Sequence, residues 1–303
     1  MNLLTSILNS MPGAVSQGLV WGTVAIGVYI TYRILDIADL SVDGTIATGG
    51  AVCVMLIRGG MNAWIAVLIA MLAGAVAGLC TGLFHIKLGI PAILAGILTQ
   101  LALYSVNLRI LDSKSNQAIS VDKYSLLVSS RYVRTIGLNN PLILLFVICV
   151  VLIILLYCFF GTELGSALRA TGANPRMAQA QGINTNTNII IGLALSNGLT
   201  AFAGAILSQF QGSADVNMGR GAIVIGLAAV TIGEVLFRKV FKNFGLKLFG
   251  VVIGAIIYYI VLQIVLALGL NTNDLKLLTA LIVAVFLGIP HIKANMAARA
   301  HKD

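Results

Sequence analysis

Residues 161–188 read GTELGSALRATGANPRMAQAQGINTNTN, a polar stretch between the apolar runs PLILLFVICVVLIILLYCFF (141–160) and IIIGLALSNGLTAFAGAILSQF (189–210). Crossing a bilayer takes about 20 apolar residues, and each flank suffices. The segment is therefore a connection held at a membrane surface, and its spacing is not that of a random linker. Thr162 is placed to cap a short helix in which Leu164 and Leu168 share a face. Gly172 is expected to end that helix in a left-handed turn. Asn174 caps a second helix, with Pro175 at its first position, where a missing N–H costs nothing. Met177 shares a face there with Ala180 or Gln181, Gly182 closes it, and Asn184 or Thr185 caps the next run. The pattern predicts a helix–turn–helix on the membrane surface with Arg169 and Arg176 projecting. Two roles suit it: a docking element, or an amphipathic loop lying on lipid.

The rest of the chain explains why this element has a membrane beside it. Of 303 residues, 59% are hydrophobic and 10% charged, whereas a soluble domain has about 45–50% and about 25%. Too little polar side chain remains to cover a soluble surface, which excludes a cytosolic enzyme, a secreted domain and a disordered chain. Apolar runs fall at 14–35, 62–84, 88–111, 141–160, 187–210, 219–237 and 246–270, with shorter ones at 44–57 and 274–290. The fold expected is an all-α polytopic membrane helix bundle of about eight to ten spans, some broken or short, forming a single domain over 1–303. Residues Met1–Met11 read as mature protein, an amphipathic lead-in without a basic n-region. The net charge of +9 sits in short gaps, as topology signals and contacts to anionic lipid, not as a nucleic-acid-binding face. Basic residues at 238–247 and in the tail after 290 put those gaps in the cytoplasm. Counting back puts the N-terminus outside, 161–186 inside and 112–140 outside. This orientation leaves eleven basic residues inside and eight outside.

Nothing reads as catalytic. There is no GxxxxGK[ST], HExxH or GxSxG, and His85, His291 and His301 fall at borders or in the tail. Cys53, Cys80, Cys149 and Cys158 lie in apolar runs without CxxC spacing, as small buried residues and not as a metal or disulfide set. No cofactor or metal is expected. Gly74, Gly78 and Gly82 stack on one helix face and Gly250 and Gly254 on another, which allows close helix packing. Asp36, Asp39 and Asp43 interrupt the apolar field beside Gly44, which reads as the pivot of a broken helix. Such breaks are tolerated at depth only inside protein or along a cavity. Asp39 and Ser41 are thus pathway or structural residues, or else part of an ordinary border loop. Thr99, Gln100, Tyr104, Ser105 and Asn107 bring polarity into one run, with Gln100, Tyr104 and Asn107 on one face. Ser196, Asn197 and Thr200 do so in another. Each set is either a water-facing path or an interhelical hydrogen-bond patch. Glu234 is expected to pair with Arg238 at i+4, and Arg220 to lie at the outer border.

The segment at 165–184 resembles the cytoplasmic coupling motif of importer permeases of the ATP-binding-cassette type, in the branched-chain amino acid/ribose permease superfamily. Gly165, Leu168, Arg169, Ala170, Gly172, Asn174, Ala178, Gly182, Ile183 and Asn184 carry it, with Met177 where an alanine is usual. Residues 38–44 (ADLSVDG) resemble an early signature of the same superfamily, with Ala38 for its first glycine and an added Asp43. The resemblance spans roughly residues 18 to 290 and is nearest the subgroup served by an aromatic-amino-acid or other small-solute binding lipoprotein. It implies a multi-pass protein of the bacterial cytoplasmic membrane that imports a small solute, expected to be an amino acid and more narrowly an aromatic one, with power from a separate ATPase subunit. The implied partners are that ATPase, an extracytoplasmic solute-binding protein, and a second permease copy in a homodimer. The coupling residues implied are Leu168, Arg169, Ala170, Gly172, Asn174, Pro175, Met177, Ala178, Gly182 and Ile183. Asp39, Ser41, Thr99, Gln100, Asn107 and Asn197 are the expected path residues. A rival from the residues alone is an ion-driven carrier with Asp36, Asp39 or Asp43 as its proton or sodium site. A membrane-embedded enzyme lacks any nameable nucleophile–base pair.

Overall fold

The computed structural model describes residues 3–133, 140–237, 240–241 and 243–268, with scattered positions between 274 and 288. Among the described residues the continuous α-helices are α1 (Leu3–Tyr29), α2 (Val42–Arg58), α3 (Ala63–Ile86), α4 (Ala92–Ile110), α5 (Pro141–Gly161), α6 (Glu163–Ala173), α7 (Pro175–Ala180), α8 (Thr185–Gln211), α9 (Ala222–Phe237) and α10 (Phe244–Ala267). Two short strands, β1 (Asn116–Ala118) and β2 (Ser213–Asp215), pair antiparallel.

Among the described residues six helices are long and apolar enough to cross a membrane, with the shorter α9 apolar as well. The protein is an all-α polytopic membrane bundle. Eight of the nine apolar runs coincide with helices. The ninth, 274–290, is described only at scattered positions, and the basic tail, His291, His301 and Arg238 lie outside the described residues.

Side-chain burial sorts the helices. α1 and α8 are largely enclosed, whereas α4 and α5 expose most of their length. Leu68, Leu72 and Val76 of α3, Leu94 and Leu98 of α4, and Phe146, Val151 and Leu155 of α5 are exposed. Apolar side chains pointing outward suit a lipid solvent, where burial offers little drive for association and close packing must supply it. The glycine stripe of α3 does this against α8. A Cβ on Gly78 would sit 2.3 Å from the Leu193 carbonyl oxygen, a distance no side chain tolerates. At the α9–α10 crossing a Cβ on Gly254 would lie 2.2 Å from the Ala229 oxygen.

The chain's connections gather at two ends. At one end the close of α1, the α6–α7 pair and the start of α10 lie together around a crevice. At the other, Gln117 accepts from Arg58, and β1 joins β2. Gaps expected on one side of the membrane thus share an end.

The expected Glu234–Arg238 pair lies outside the described residues. Glu234 pairs with Arg33, at 2.9 Å between Oε1 and Nε, because α1 packs beside α9. The Arg33 and Glu234 side chains are 58% and 35% exposed, so screening keeps the pair weak. Glu234→Gln is expected to change stability by less than about 1 kcal/mol, read by thermal unfolding in detergent; a loss several times larger would show a tighter role. Cys80 and Cys158 are exposed on helix faces, and only Cys53 and Cys149 are buried.

Candidate translocation path and coupling element

α1 does not end cleanly. Its last turn, Ile30–Ile34, is a π-helix, a form found mostly as single turns at functional places. Asp36 then takes a left-handed conformation, with φ 56°, and residues 37–41 run on without helix. The pivot is therefore Asp36, and not Gly44, which lies within the first turn of α2. Gly44 has another use there: it lets α2 lie tight against α4, where a Cβ would stand 3.1 Å from the Gln100 Cα.

The extended piece passes between α4 and α8. A Cβ on Gly96 would lie 2.7 Å from the Leu40 nitrogen. At its end sits a closed polar knot. Asp39 Oδ1 accepts from the Ser41 amide at 2.9 Å and the Ser41 hydroxyl at 2.5 Å. Asn197 Nδ2 donates to Asp39 Oδ2 at 2.7 Å and to the Leu193 carbonyl at 3.0 Å. The Thr45 hydroxyl donates to Asn197 Oδ1 at 2.6 Å. Asp39 is 2% exposed, and Ser41, Thr45 and Asn197 are 0% exposed. Asn197 lies midway along α8, a helix about 40 Å long at 1.5 Å per residue, so the knot is at membrane depth. A buried carboxylate there is tolerable because donors surround it.

The expected path residues fall into three places. Asp39, Ser41 and Asn197 form the knot. Thr99 accepts from the Thr81 hydroxyl at 2.9 Å and ties α3 to α4. Gln100 and Asn107 line a cavity of about 370 Å³, together with Asp43, Gly44, Tyr104 and Arg220. The shared face of Gln100, Tyr104 and Asn107 is the cavity wall. Asp43 caps the start of α9: Oδ2 accepts from the Gly221 amide at 2.9 Å, and Oδ1 from the Ile223 amide at 3.0 Å. Thr45, one turn after Ser41, belongs to the knot as well, and that spacing is its signal in the sequence. Arg220 is exposed, as a border residue would be, and it also lines the cavity, since 216–221 folds back over α2, which nothing local reveals.

The three aspartates serve three environments. Asp36 lines the crevice of about 570 Å³ with Arg33, Arg169, Gly172 and Lys247. Asp39 is in the knot and Asp43 on α9. Among the described residues no three His, Cys, Asp or Glu side chains gather for a metal ion.

The polar stretch at 161–184 folds as its caps direct. The Thr162 hydroxyl accepts from the Gly165 amide at 3.3 Å, Asn174 Oδ1 from the Met177 amide at 3.1 Å, and Asn184 Oδ1 from the Thr187 amide at 3.2 Å. Gly182 is left-handed, with φ +80°. Gly172 is not: α6 continues through it to Ala173, and Asn174 ends α6 while capping α7. Glycine is needed at 172 because a Cβ would stand 1.7 Å from the Ile34 carbonyl oxygen. Leu168, 0% exposed, packs beside Gly192 and Leu35. Asn188 donates to the Thr171 hydroxyl at 3.1 Å, and Gln179 to the Thr185 hydroxyl at 2.8 Å. Ala178 is buried, Ala170 and Ile183 half-buried, and Leu164, Arg169, Pro175, Arg176 and Met177 exposed. The pair has an inner face locked onto α1 and α8 and an outer face free of the bundle.

Residues 11–289 match the family described as the branched-chain amino acid transport system permease component. The chain belongs to that family. It is 36% identical over 289 residues to the tyrosine transport system permease protein of Clostridioides difficile R20291, covering 95% of this chain and 94% of the relative. It is 27% identical over 270 residues to the fructose import permease protein of Bifidobacterium longum, covering 85% and 72%. It is 27% identical over 226 residues to the ribose import permease protein of Escherichia coli K12, covering 75% and 69%. No solved structure matches the chain. As a permease of this family it is a multi-pass membrane protein and a transport component of ABC import systems, not an enzyme. The ion-driven carrier is thereby set aside.

Proposed function

We propose that this permease imports an amino acid, of aromatic class, across a bacterial cytoplasmic membrane. It would work with a separate ATPase subunit on the α6–α7 end, a solute-binding protein on the β1–β2 end, and a second permease copy across the path. The amino-acid class is supported by the relative whose name specifies tyrosine, which is also similar along nearly its full length. The observation that carries the coupling role is the two-faced α6–α7 pair. Its outer side offers Leu164, Arg176 and Met177, while its inner side is held by Gly172 on Ile34 and by Asn188 on Thr171.

The route of coupling follows from connectivity. Closure of the ATPase dimer would move α6–α7, and α6 rests on the carbonyl of Ile34. From there the chain runs directly through 36–41 into the Asp39–Asn197 knot and α2. A displacement at the surface thus reaches membrane depth through a short extended stretch and the long axis of α8. The two nucleotide states would bias two arrangements of this bundle.

Met177→Glu combined with Arg176→Glu tests it. Both side chains are exposed, so the chain should insert at normal level, while ATP-driven uptake of labelled tyrosine in proteoliposomes with the ATPase and binding protein falls at least about tenfold. Uptake at the unmodified rate would remove α7 from the coupling surface.

A further inference from the structure

The cavity between α2, α4 and the turn before α9 has an unusual polar lining. Asn107 is 1% exposed. Its Nδ2 donates to the Gly44 carbonyl at 3.3 Å, but its Oδ1 receives no hydrogen bond from any described residue. A buried acceptor without a donor is costly, and the residue that carries it lines a cavity large enough for a small molecule. Arg220 lines the same cavity, with no ion pair among the described residues. Asp43 lines it too, its carboxylate taking the amides of Gly221, Ala222 and Ile223 at the start of α9 and keeping a further lone pair of its four. Tyr104 and Leu101 supply an apolar, partly aromatic wall.

We infer that this cavity is a solute-selecting site within the permease itself, which holds an α-amino acid as its zwitterion. Arg220 takes the carboxylate, for which its planar fork is suited. The ammonium donates to Asn107 Oδ1 and to Asp43. The side chain lies along Tyr104 and Leu101, where an aromatic ring gains most. The inference rests on the amino-acid reading above and adds the residues that would enforce it. A neutral sugar satisfies the orphan acceptor through a hydroxyl but leaves the guanidinium without a counter-charge.

The test is equilibrium binding to the permease–ATPase complex in nanodiscs, without the binding protein, so that discrimination comes from the permease alone. The probes are L-tyrosine, tyramine, 3-(4-hydroxyphenyl)propanoate and D-ribose. Tyrosine should bind at least tenfold more tightly than each of the others. Arg220→Ala should lose tenfold for tyrosine while leaving tyramine within threefold, and Arg220→Lys should recover part of the loss. Asn107→Asp, which keeps the acceptor, should retain the preference for tyrosine over the propanoate that Asn107→Leu loses. Equal binding of tyrosine and tyramine, binding of none of the probes, or an unchanged ratio in Arg220→Ala would overturn the site. If the whole importer still takes up tyrosine with ATP, the amino-acid reading survives that failure. Uptake of ribose and not tyrosine would end both.

Discussion

Asn197→Leu is expected to give an importer that unfolds at a much lower temperature and does not transport. The substitution keeps the number and branching of the side-chain heavy atoms and adds bulk, so no cavity forms. It removes the donor to Asp39 Oδ2 and, together with it, the α8 acceptor that the Ser41 and Thr45 hydroxyls share. Asp39 keeps its two bonds from Ser41, but both come from its own loop and neither holds that loop to α8. Breaking a buried charged network by deleting one partner costs about 3–5 kcal/mol. Leucine is a better helix former than asparagine by a few tenths of a kcal/mol, which cannot offset it. Thermal unfolding in detergent reads the loss. A cycle with Asp39→Asn should give a coupling energy above about 1 kcal/mol, as residues in one network do. A single variant within 0.5 kcal/mol of the parent would mean that the knot does not hold the broken segment.

Gly172→Ala is expected to uncouple transport from ATP hydrolysis. Helix propensity alone predicts the opposite sign, since alanine within a helix is favoured over glycine by about 1 kcal/mol. Against this stands a methyl group 1.7 Å from the Ile34 oxygen and 2.7 Å from its carbon. Both atoms are backbone, so no side chain can swing aside. Overpacking typically costs about 1–3 kcal/mol, and the cheapest relief is to lift α6 off the end of α1. The ATPase would still dock on α7, yet its motion would no longer reach the extended stretch at 36–41. Uptake should fall at least about tenfold while ATP hydrolysis persists. Gly161→Ala is the control, because a Cβ there meets nothing within 4 Å. Equal uptake by both variants would break the proposed route.

What could be read from the sequence was what short range decides. Thr162, Asn174, Pro175, Gly182 and Asn184 specify caps and turns within a few residues, so the α6–α7 pair was legible in detail. The spans were legible because a run of apolar residues needs no partner to be recognised. Gly74, Gly78 and Gly82 declared a packing face by spacing, though not that α8 was the helix they meet. Gly172 looked like a left-handed stop, since a glycine held by a carbonyl 138 positions earlier leaves no local mark. The Glu234–Arg33 pair was hidden for the same reason: the two residues lie far apart in sequence and meet only where α1 packs beside α9. Polar residues at 39, 41, 99, 100, 107 and 197 looked alike in an apolar field. Only tertiary contacts separate a satisfied knot from a cavity wall with an unsatisfied oxygen.

The central claim is that the outer face of α6–α7 receives an ATPase. The most direct measurement is purification of the tagged permease from its native membrane in mild detergent, with mass spectrometry of what accompanies it. The expected result is a soluble ATP-binding-cassette ATPase at one copy per permease, lost in the Arg176→Glu, Met177→Glu variant and retained in Arg131→Glu at the opposite end. A permease that arrives alone, yet moves solute in vesicles under an ion gradient, would contradict the account.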